Sequence, residues 1–324
     1  MPCYKPLKAF RSVQKHESGK PQLTFNPIKA INSALPITLP CGQCIGCRND
    51  KVDAWATRCM HESKMHEHNS FITLTYADEF LPEDYSVHVR EFQLFMKRLR
   101  KDLNTPIRFF ACGEYGPLNL RPHYHALIFG YAFPDRIFKC HSDSGEPLFT
   151  SEQLSKAWPY GRSDLGSVTY KSAGYVAGYV RDKITGDPAL RHYLRTHPRS
   201  GQTVKVEPEF SLQSRRPGIG STWFDKYHSD AFPSDFLVID GREKPVPPYY
   251  LRKLELLERE NVATEYRPHK LHSEDPVAVK RARKLRSASP QAKANRTSDR
   301  LEVREYIKTD RIKRLKRNLK DDNQ

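Results

Sequence analysis

No stretch of this 324-residue chain holds about eighteen apolar residues in succession, so no membrane-spanning helix is expected. The opening Met1-Pro2-Cys3-Tyr4-Lys5 leads into no apolar signal core, and the expectation is a soluble chain in a reducing cytosol. Internal repeats at solenoid periods are missing as well. The seven cysteines are an odd number, which argues against a disulfide framework and for reduced thiols or metal ligands. Acidic residues are in short supply: 38 Asp plus Glu stand against 54 Lys plus Arg, a net charge of +16. That balance points to a polyanionic partner, most simply nucleic acid, and the length suits one large domain or two modest ones.

What is present centres on Arg121-Pro122-His123-Tyr124-His125-Ala126-Leu127-Ile128-Phe129-Gly130. Its residue types favour a strand, and strand alternation projects His123 and His125 from one face and Tyr124, Ala126 and Ile128 from the other. Upstream, Ile107 to Gly113 reads as a second strand followed by Glu114-Tyr115-Gly116, so a hairpin would bring the Glu114 carboxylate back to the histidine pair. Two imidazoles and a carboxylate can hold a divalent cation with positions left for water and substrate. Two ordinary half-buried sheet histidines are the plain alternative.

Cys41-Gly42-Gln43-Cys44-Ile45-Gly46-Cys47 spaces three thiols as tetrahedral metal ligands are spaced, with Cys59 or Cys3 as the fourth. A structural zinc at Cys41, Cys44, Cys47 and Cys59 is the expectation, beside free cysteines or an iron–sulfur cluster. Asn49 to about Met65 reads as a helix with Trp55, Arg58, Cys59 and Glu62 as candidates for its inner stripe, and His61, His66 and His68 read as solvated. Phe71 to Tyr76 is a strand. From Val87 to Leu103, Phe92, Phe95, Met96, Leu99 and Leu103 recur at helical spacing, which predicts an amphipathic helix on the sheet. The resulting β-α-β-β order is typical of an α+β fold with a central antiparallel sheet and flanking helices, the metal site lying on the face this helix leaves free. Tyr131 to Phe149 has few periodic features. Thr150 to Gln153 reads as a capping box opening a short helix that Pro159 stops, and Gly161 to Val168 as a further strand.

The next helix places Tyr175, Tyr179 and Lys183 one turn apart on one face. A phenol ionises near pH 10 and attacks phosphorus poorly, but a nearby cation favours the phenolate and a metal ion polarises the phosphate. A core helix whose tyrosines merely pack on the sheet is the competing account.

In this order the motifs resemble those of HUH endonucleases of the rolling-circle type, and more closely the replication initiators of gokushovirus-like microviruses, small phages with circular single-stranded DNA. The resemblance runs from Met1-Pro2-Cys3-Tyr4 through the cysteine cluster, Phe71-Ile72-Thr73-Leu74-Thr75, Gly113-Glu114-Tyr115-Gly116, Arg121 to His125 and the Tyr175/Tyr179 pair to Ser214-Arg215-Arg216-Pro217-Gly218-Ile219-Gly220. It implies a ferredoxin/RRM-like core, Mg²⁺ or Mn²⁺ on His123, His125 and Glu114, and Tyr175 and Tyr179 as alternating nucleophiles with Lys183 beside them. It further implies nicking of origin DNA in the host cytoplasm, with host helicase and polymerase as partners. Two departures stand out: Tyr124 is aromatic where many relatives are aliphatic, and Asp182 replaces one of a lysine pair. Other readings are a different HUH nuclease such as a relaxase or transposase, a water-activating metal hydrolase, and a non-enzymatic DNA-binding protein.

Arg121, Arg215 and Arg216 are candidate DNA contacts, the latter two in a turn whose glycines let amides approach phosphate. Phe236 to Arg242 suggests a hairpin before Pro245-Val246-Pro247-Pro248, which reads as the end of the compact domain. From Tyr266 on, 18 Lys plus Arg face 8 Asp plus Glu, placing +10 of the +16 in a tail expected to be partly disordered or isolated helix that binds nucleic acid without sequence preference. The expected division is 1–69, a cysteine-rich segment and helix; 70–230, the nuclease core; 231–265, a hairpin and helix extension; and 266–324, the basic tail.

Overall fold

The computed structural model describes residues 3–17, 21–103, 105–116, 120–142, 145–182, 187–197, 200–232, 234–239, 241–263 and 276–321. The side chains at 179–182, 188, 258–263, 276–278 and 313–321 lie outside that description. Two compact units emerge: one joins Met1–Asp50 to Lys284–Gln324, the other is Lys51–Arg283.

The N-terminal strands β1 (Leu7–Lys15), β2 (Pro21–Thr24) and β3 (Ile37–Leu39) form an antiparallel sheet in the order β2-β1-β3, and α1 (Ile45–Ser63) follows. In the second unit come β4 (Asn69–Tyr76), α2 (Val89–Asp102), β5 (Arg108–Tyr115), β6 (Pro122–Phe129), β7 (Ile137–His141), β8 (Pro147–Thr150), α3 (Glu152–Ala157), β9 (Gly161–Gly166) and α4 (Tyr170–Asp182). Then follow α5 (Asp187–His192), the ribbon β10 (Leu194–Thr196) and β11 (Thr203–Lys205), β12 (Phe210–Gln213), α6 (Ser221–Tyr227), the hairpin β13 (Phe236–Ile239) and β14 (Arg242–Pro245), and α7 (Pro248–Ala263). The chain ends in α8 (Pro276–Ala288), α9 (Pro290–Ala294) and α10 (Ser298–Asp321).

Seven strands make the central sheet, in the order β12-β5-β6-β4-β9-β8-β7, every pairing antiparallel. The fold is α+β, as the element order implied. Its two faces sort by strand alternation. Ile72, Leu74, Tyr76, Ala111, Tyr124, Ala126 and Ile128 meet Phe92, Phe95, Met96 and Leu99 of α2 on one side. On the other, Phe110, Cys112, Leu127 and Phe129 pack with Ala56 and Cys59 of α1 and with Ala173, Val176 and Ala177 of α4. The aromatic at Tyr124 fits because its hydroxyl reaches Tyr76 Oη at 3.0 Å and accepts from His88 N at 3.1 Å.

The edge strands were not visible in the sequence. The stretch from Tyr131 to Phe149 supplies the β7–β8 hairpin on one margin, with β7 exposed along its whole length, so it lacks the apolar alternation that marks a half-buried strand. Four-residue β12 closes the other margin against β5. Ser151 caps α3 by accepting from Leu154 N at 3.1 Å. Thr169 and Ser172 cap α4 reciprocally, each side chain accepting from the other's amide at 3.1 and 2.8 Å.

Two expectations need correcting. His61 is not solvated: it is buried, bonded to Tyr250 Oη at 2.9 Å and stacked on Trp223 with ring centres 3.5 Å apart. Pro247 and Pro248 do not end the compact region. Pro248 begins α7, where a missing amide proton costs nothing, and Tyr250 and Leu254 then join Trp223, Phe224, Phe232, Leu237, Val246 and Val279 in a further core. In the basic tail the described residues form α8 to α10, helix being one of the two forms expected there, and Arg283 of α8 is ion-paired with Asp235.

Glu62 of α1, with a fully buried side chain, accepts from Arg108 Nε at the start of β5 and from Gly220 N at 2.6 Å, and lies 3.3 Å from His66 Nε2. Burial would raise its pKa, but hydrogen bonds from His66, Gly220 and Arg108 outweigh this and hold it below the ordinary carboxylate value. Glu62→Ala leaves Arg108 without its counter-charge and is expected to cost about 3–5 kcal/mol, the range for breaking a buried pair from one side. Urea unfolding measures it, and a variant as stable as the parent would remove Glu62 from this role.

Candidate active site

The site begins with strand register. β5 and β6 pair so that Glu114 faces His123 and Cys112 faces His125, while β4 sets Thr73 beside His125. Period-two alternation then turns Glu114, His123, His125 and Thr73 to the face away from α2. Gly113 lies between these positions for a steric reason: a Cβ there would meet the Phe210 ring of β12 at 2.6 Å.

The ligand atoms of Glu114, His123 and His125 all lie within 4.8 Å of one another. Both Nε2 atoms are 2.8 Å from Glu114 Oε1. His123 Nδ1 donates to the Arg121 carbonyl at 2.9 Å, so in the neutral ring the proton sits on Nδ1 and Nε2, now 2.8 Å from Glu114 Oε1, is the atom that would face a cation. His125 Nδ1 is 2.9 Å from Thr73 Oγ1. A converging nitrogen–nitrogen–oxygen set with both rings braced from behind fits a divalent ion and leaves other coordination positions open.

Charge in the site is balanced internally. Burial pushes the Glu114 carboxyl up, yet hydrogen bonds and attraction from His123 and His125 prevail and hold it below its ordinary value. For His123, burial works downward, and the Glu114 hydrogen bond and charge more than reverse it. Burial wins at His125, whose pKa is lowered, so that ring is the more readily neutral of the two.

Tyr175, on α4, is the fourth member. Ala173, Val176 and Ala177 seat the helix on the sheet, and the Tyr175 ring, 47% exposed, reaches over the edge of that contact. Its Oη is 3.4 Å from His125 Nε2 and 3.4 Å from Glu114 Oε1. The ring meets His125 edge-on at 4.9 Å and Phe71 edge-on at 6.4 Å. The structure therefore brings Tyr175, Glu114, His123 and His125 together. Tyr179 follows one turn later on α4, its side chain outside the described residues, and Lys183 falls outside them altogether.

A cavity of about 440 Å³ opens beside Tyr175 and His125, lined also by Thr73, Arg162, Asp164 and Lys171. Asp164 is held by Lys139 at 2.6 Å and Arg162 at 3.0 Å, so cationic groups surround its one buried carboxylate. Sequence reasoning missed Thr73, Arg162 and Lys139. Thr73 was within reach, since it shares the Phe71/Thr75 parity on the strand next to the histidines; the other two depend on β9 and the unpredicted β7.

Of the arginines, Arg121 donates to the Tyr76 carbonyl at 2.9 Å and to Asp78, bracing the β4–β6 end next to His123. Arg215 and Arg216 are exposed, in a turn held by Arg108 to the Pro217 carbonyl at 2.7 Å. That turn leaves β12 beside Phe109, five residues from Glu114 along β5, roughly 17 Å at strand rise. They are not part of the metal-ligand cluster. Cys59 likewise needs correction as a partner of Cys41, Cys44 and Cys47: it is fully buried in the α1–α4 core, and the fourth thiol gathered with those three is Cys3.

Fold and site together define an α+β protein whose antiparallel sheet sets a two-histidine, one-carboxylate ligand group against a helix-borne tyrosine. A family profile described as replication-associated protein ORF2/G2P matches residues 69–184, the span holding all four groups. The replication-associated protein VP4 of Bdellovibrio phage phiMH2K is 32% identical, with 77% of this chain and 76% of that protein covered. The replication-associated protein ORF2 of Spiroplasma virus 4 is 29% identical over 79% and 81%, and ORF4 of Chlamydia phage 1 is 28% identical over 70% and 57%. No solved structure matches the chain. This chain belongs to the phage replication-associated proteins.

Thr73→Val removes the hydroxyl behind His125 while keeping the strand shape, and should weaken any divalent-cation binding at this group, probed with Mn²⁺, by about tenfold, the low end for loss of a group that braces a ligand. Titration calorimetry on the purified variant reads this directly; unchanged affinity would make Thr73 a bystander.

Proposed function

We propose that the chain initiates rolling-circle replication of a circular phage genome, nicking one strand at the origin by tyrosine transesterification. The reading is carried by one observation: the Tyr175 hydroxyl is 3.4 Å from ligand atoms of both His125 and Glu114. Glu114, His123 and His125 would hold Mg²⁺ or Mn²⁺, which when bound supplies a Lewis acid for the scissile phosphate. Tyr175 attacks phosphorus through Oη; the Oη–P bond forms as the P–O3′ bond breaks. The phenol proton is lost to solvent, and the departing 3′ oxygen takes a proton from solvent in turn. The products are a 5′-phosphotyrosine and a free 3′-OH.

That outcome preserves phosphodiester energy, as a water nucleophile would not. Tyr179 then supplies the second phenol: it cuts the regenerated junction after one circuit, and the new 3′-OH attacks the first phosphotyrosine to close a single-stranded circle. Lys183, four residues after Tyr179 in the sequence, would supply a cation that favours phenolate. The +16 charge and the cavity beside Arg162 and Lys171 suit a single strand entering from a melted duplex. In the host cytoplasm, helicase and polymerase would take over the opened strand and its primer end.

Incubation with supercoiled origin plasmid and Mn²⁺, followed by denaturation, should yield a covalent protein–DNA adduct that chelator prevents. Tyr175→Phe combined with Tyr179→Phe is expected to lower adduct to background and leave origin binding intact. Adduct from the double variant, or nicking with no adduct from the parent, would overturn the tyrosine mechanism in favour of another nucleophile or of water.

A further inference from the structure

In the unit formed by the two chain ends, the Sγ atoms of Cys3, Cys41, Cys44 and Cys47 lie within 4.8 Å of one another. All four cysteines are free, and Cys44 and Cys3 are 3.8 Å apart, far beyond the disulfide length of about 2 Å. A tetrahedron with metal–sulfur bonds of about 2.3 Å has edges of about 3.8 Å. The cage therefore has the dimensions of one ion. A four-iron cluster would place metal atoms between the thiolates and spread them to roughly 6 Å, which this group does not accommodate.

The surrounding backbone is arranged for negatively charged sulfur. Amides point at three of the thiols: Tyr4 N to Cys44 at 3.3 Å, Cys41 N to Cys3 at 3.2 Å, and Cys44 N to Cys41 at 3.2 Å. A neutral thiol is a weak acceptor, so three such bonds make sense around thiolates. Gly42 takes φ +75°, the left-handed turn that folds the first Cys-x-x-Cys around its centre, and Cys44 and Cys47 stand at the amino end of α1.

The unit also needs a staple. Tyr4, Ala9, Cys44, Cys47 and Leu301 are its buried apolar residues among those described, whereas Val13, Phe25, Ile28 and Leu35 are exposed, Ile28 to 92%. Tyr4, Leu301 and the thiols themselves form its one small cluster. So small a core does not hold a three-stranded sheet and a terminal helix together unaided, the circumstance in which small folds recruit a structural metal.

We propose that Cys3, Cys41, Cys44 and Cys47 bind one Zn²⁺ as a tetrathiolate that ties the first residues of the chain to the start of α1 and supports Leu301 of α10. Binding exchanges four S–H bonds for four Zn–S bonds, with four protons released to solvent and no change of oxidation state. The site is structural, because all four positions are filled by protein and none remains for substrate. It shares no ligand with the ion that Glu114, His123 and His125 would hold.

Metal analysis of the full-length protein tests this. The expected result is about one zinc per chain, retained by His123→Ala/His125→Ala and by Cys59→Ser, and reduced roughly tenfold or more by Cys3→Ser. Zinc that persists in Cys3→Ser, zinc lost in Cys59→Ser, or iron with sulfide in its place would overturn the assignment. Should Cys3→Ser fail to fold, the parent protein decides through alkylation and mass spectrometry. Cys3 should be shielded while zinc is bound and labelled once a chelator has removed it; equal labelling in both states would refute its ligand role. Neither readout depends on DNA cleavage, so failure of the nicking reading and failure of this one are told apart.

Discussion

The pairing of β5 with β6 is the constraint on which the site rests. Glu114 meets His123 only because the two strands align in that register, and a slip of one residue would send every histidine and carboxylate to the opposite face. Several contacts oppose such a slip. Tyr124 and Ala126 must stay on the α2 face, where both are fully buried, and Leu127 and Phe129 on the α4 face. Gly113 has to lie under the Phe210 ring, since any other residue would collide with it. The hydrophobic pattern that folds the sheet is thus also what aims the polar groups.

The polar cluster has a cost that its composition offsets. A carboxylate buried alone would take up a proton; Glu114 does not, because two imidazoles reach its oxygen at 2.8 Å. The rings in turn are fixed from behind by a carbonyl and a hydroxyl, so little rotation is left to lose were a cation to bind. Placing the phenol on a helix seated by small residues, Ala173 and Ala177, lets α4 approach the sheet closely enough for a side chain as long as tyrosine to reach the ligands over the edge of the contact. A larger residue at either alanine would lift Tyr175 away from atoms it now meets at 3.4 Å.

Much of this was legible in the sequence because it follows from local periodicity. His123 and His125 two apart in a strand, and the aromatic stripe of α2 at helical spacing, each declare a face without reference to the rest of the chain. What escaped depends on partners distant in sequence. β12 is four half-buried residues whose strand character comes from lying beside β5, and β7 is an exposed edge with no apolar alternation. His61 looked solvated among the polar residues at the end of α1, yet Trp223 and Tyr250, more than 160 residues away, enclose it.

The cysteines teach the same lesson through geometry. Cys59 is twelve residues beyond Cys47 on the same helix, and at 1.5 Å per residue that is roughly 18 Å, too far for any tetrahedral ion. Once residues 45–63 are read as one continuous helix, Cys59 is excluded as a fourth ligand by arithmetic alone. Cys3 is 38 residues from Cys41 in sequence, but a three-stranded sheet returns the chain on itself, with β3 pairing along β1 so that Leu39 faces Leu7. That return brings the residues just before β1 next to those just after β3. The thiols converge because the sheet closes the loop between them, and a shared ion would in turn hold that closure in place.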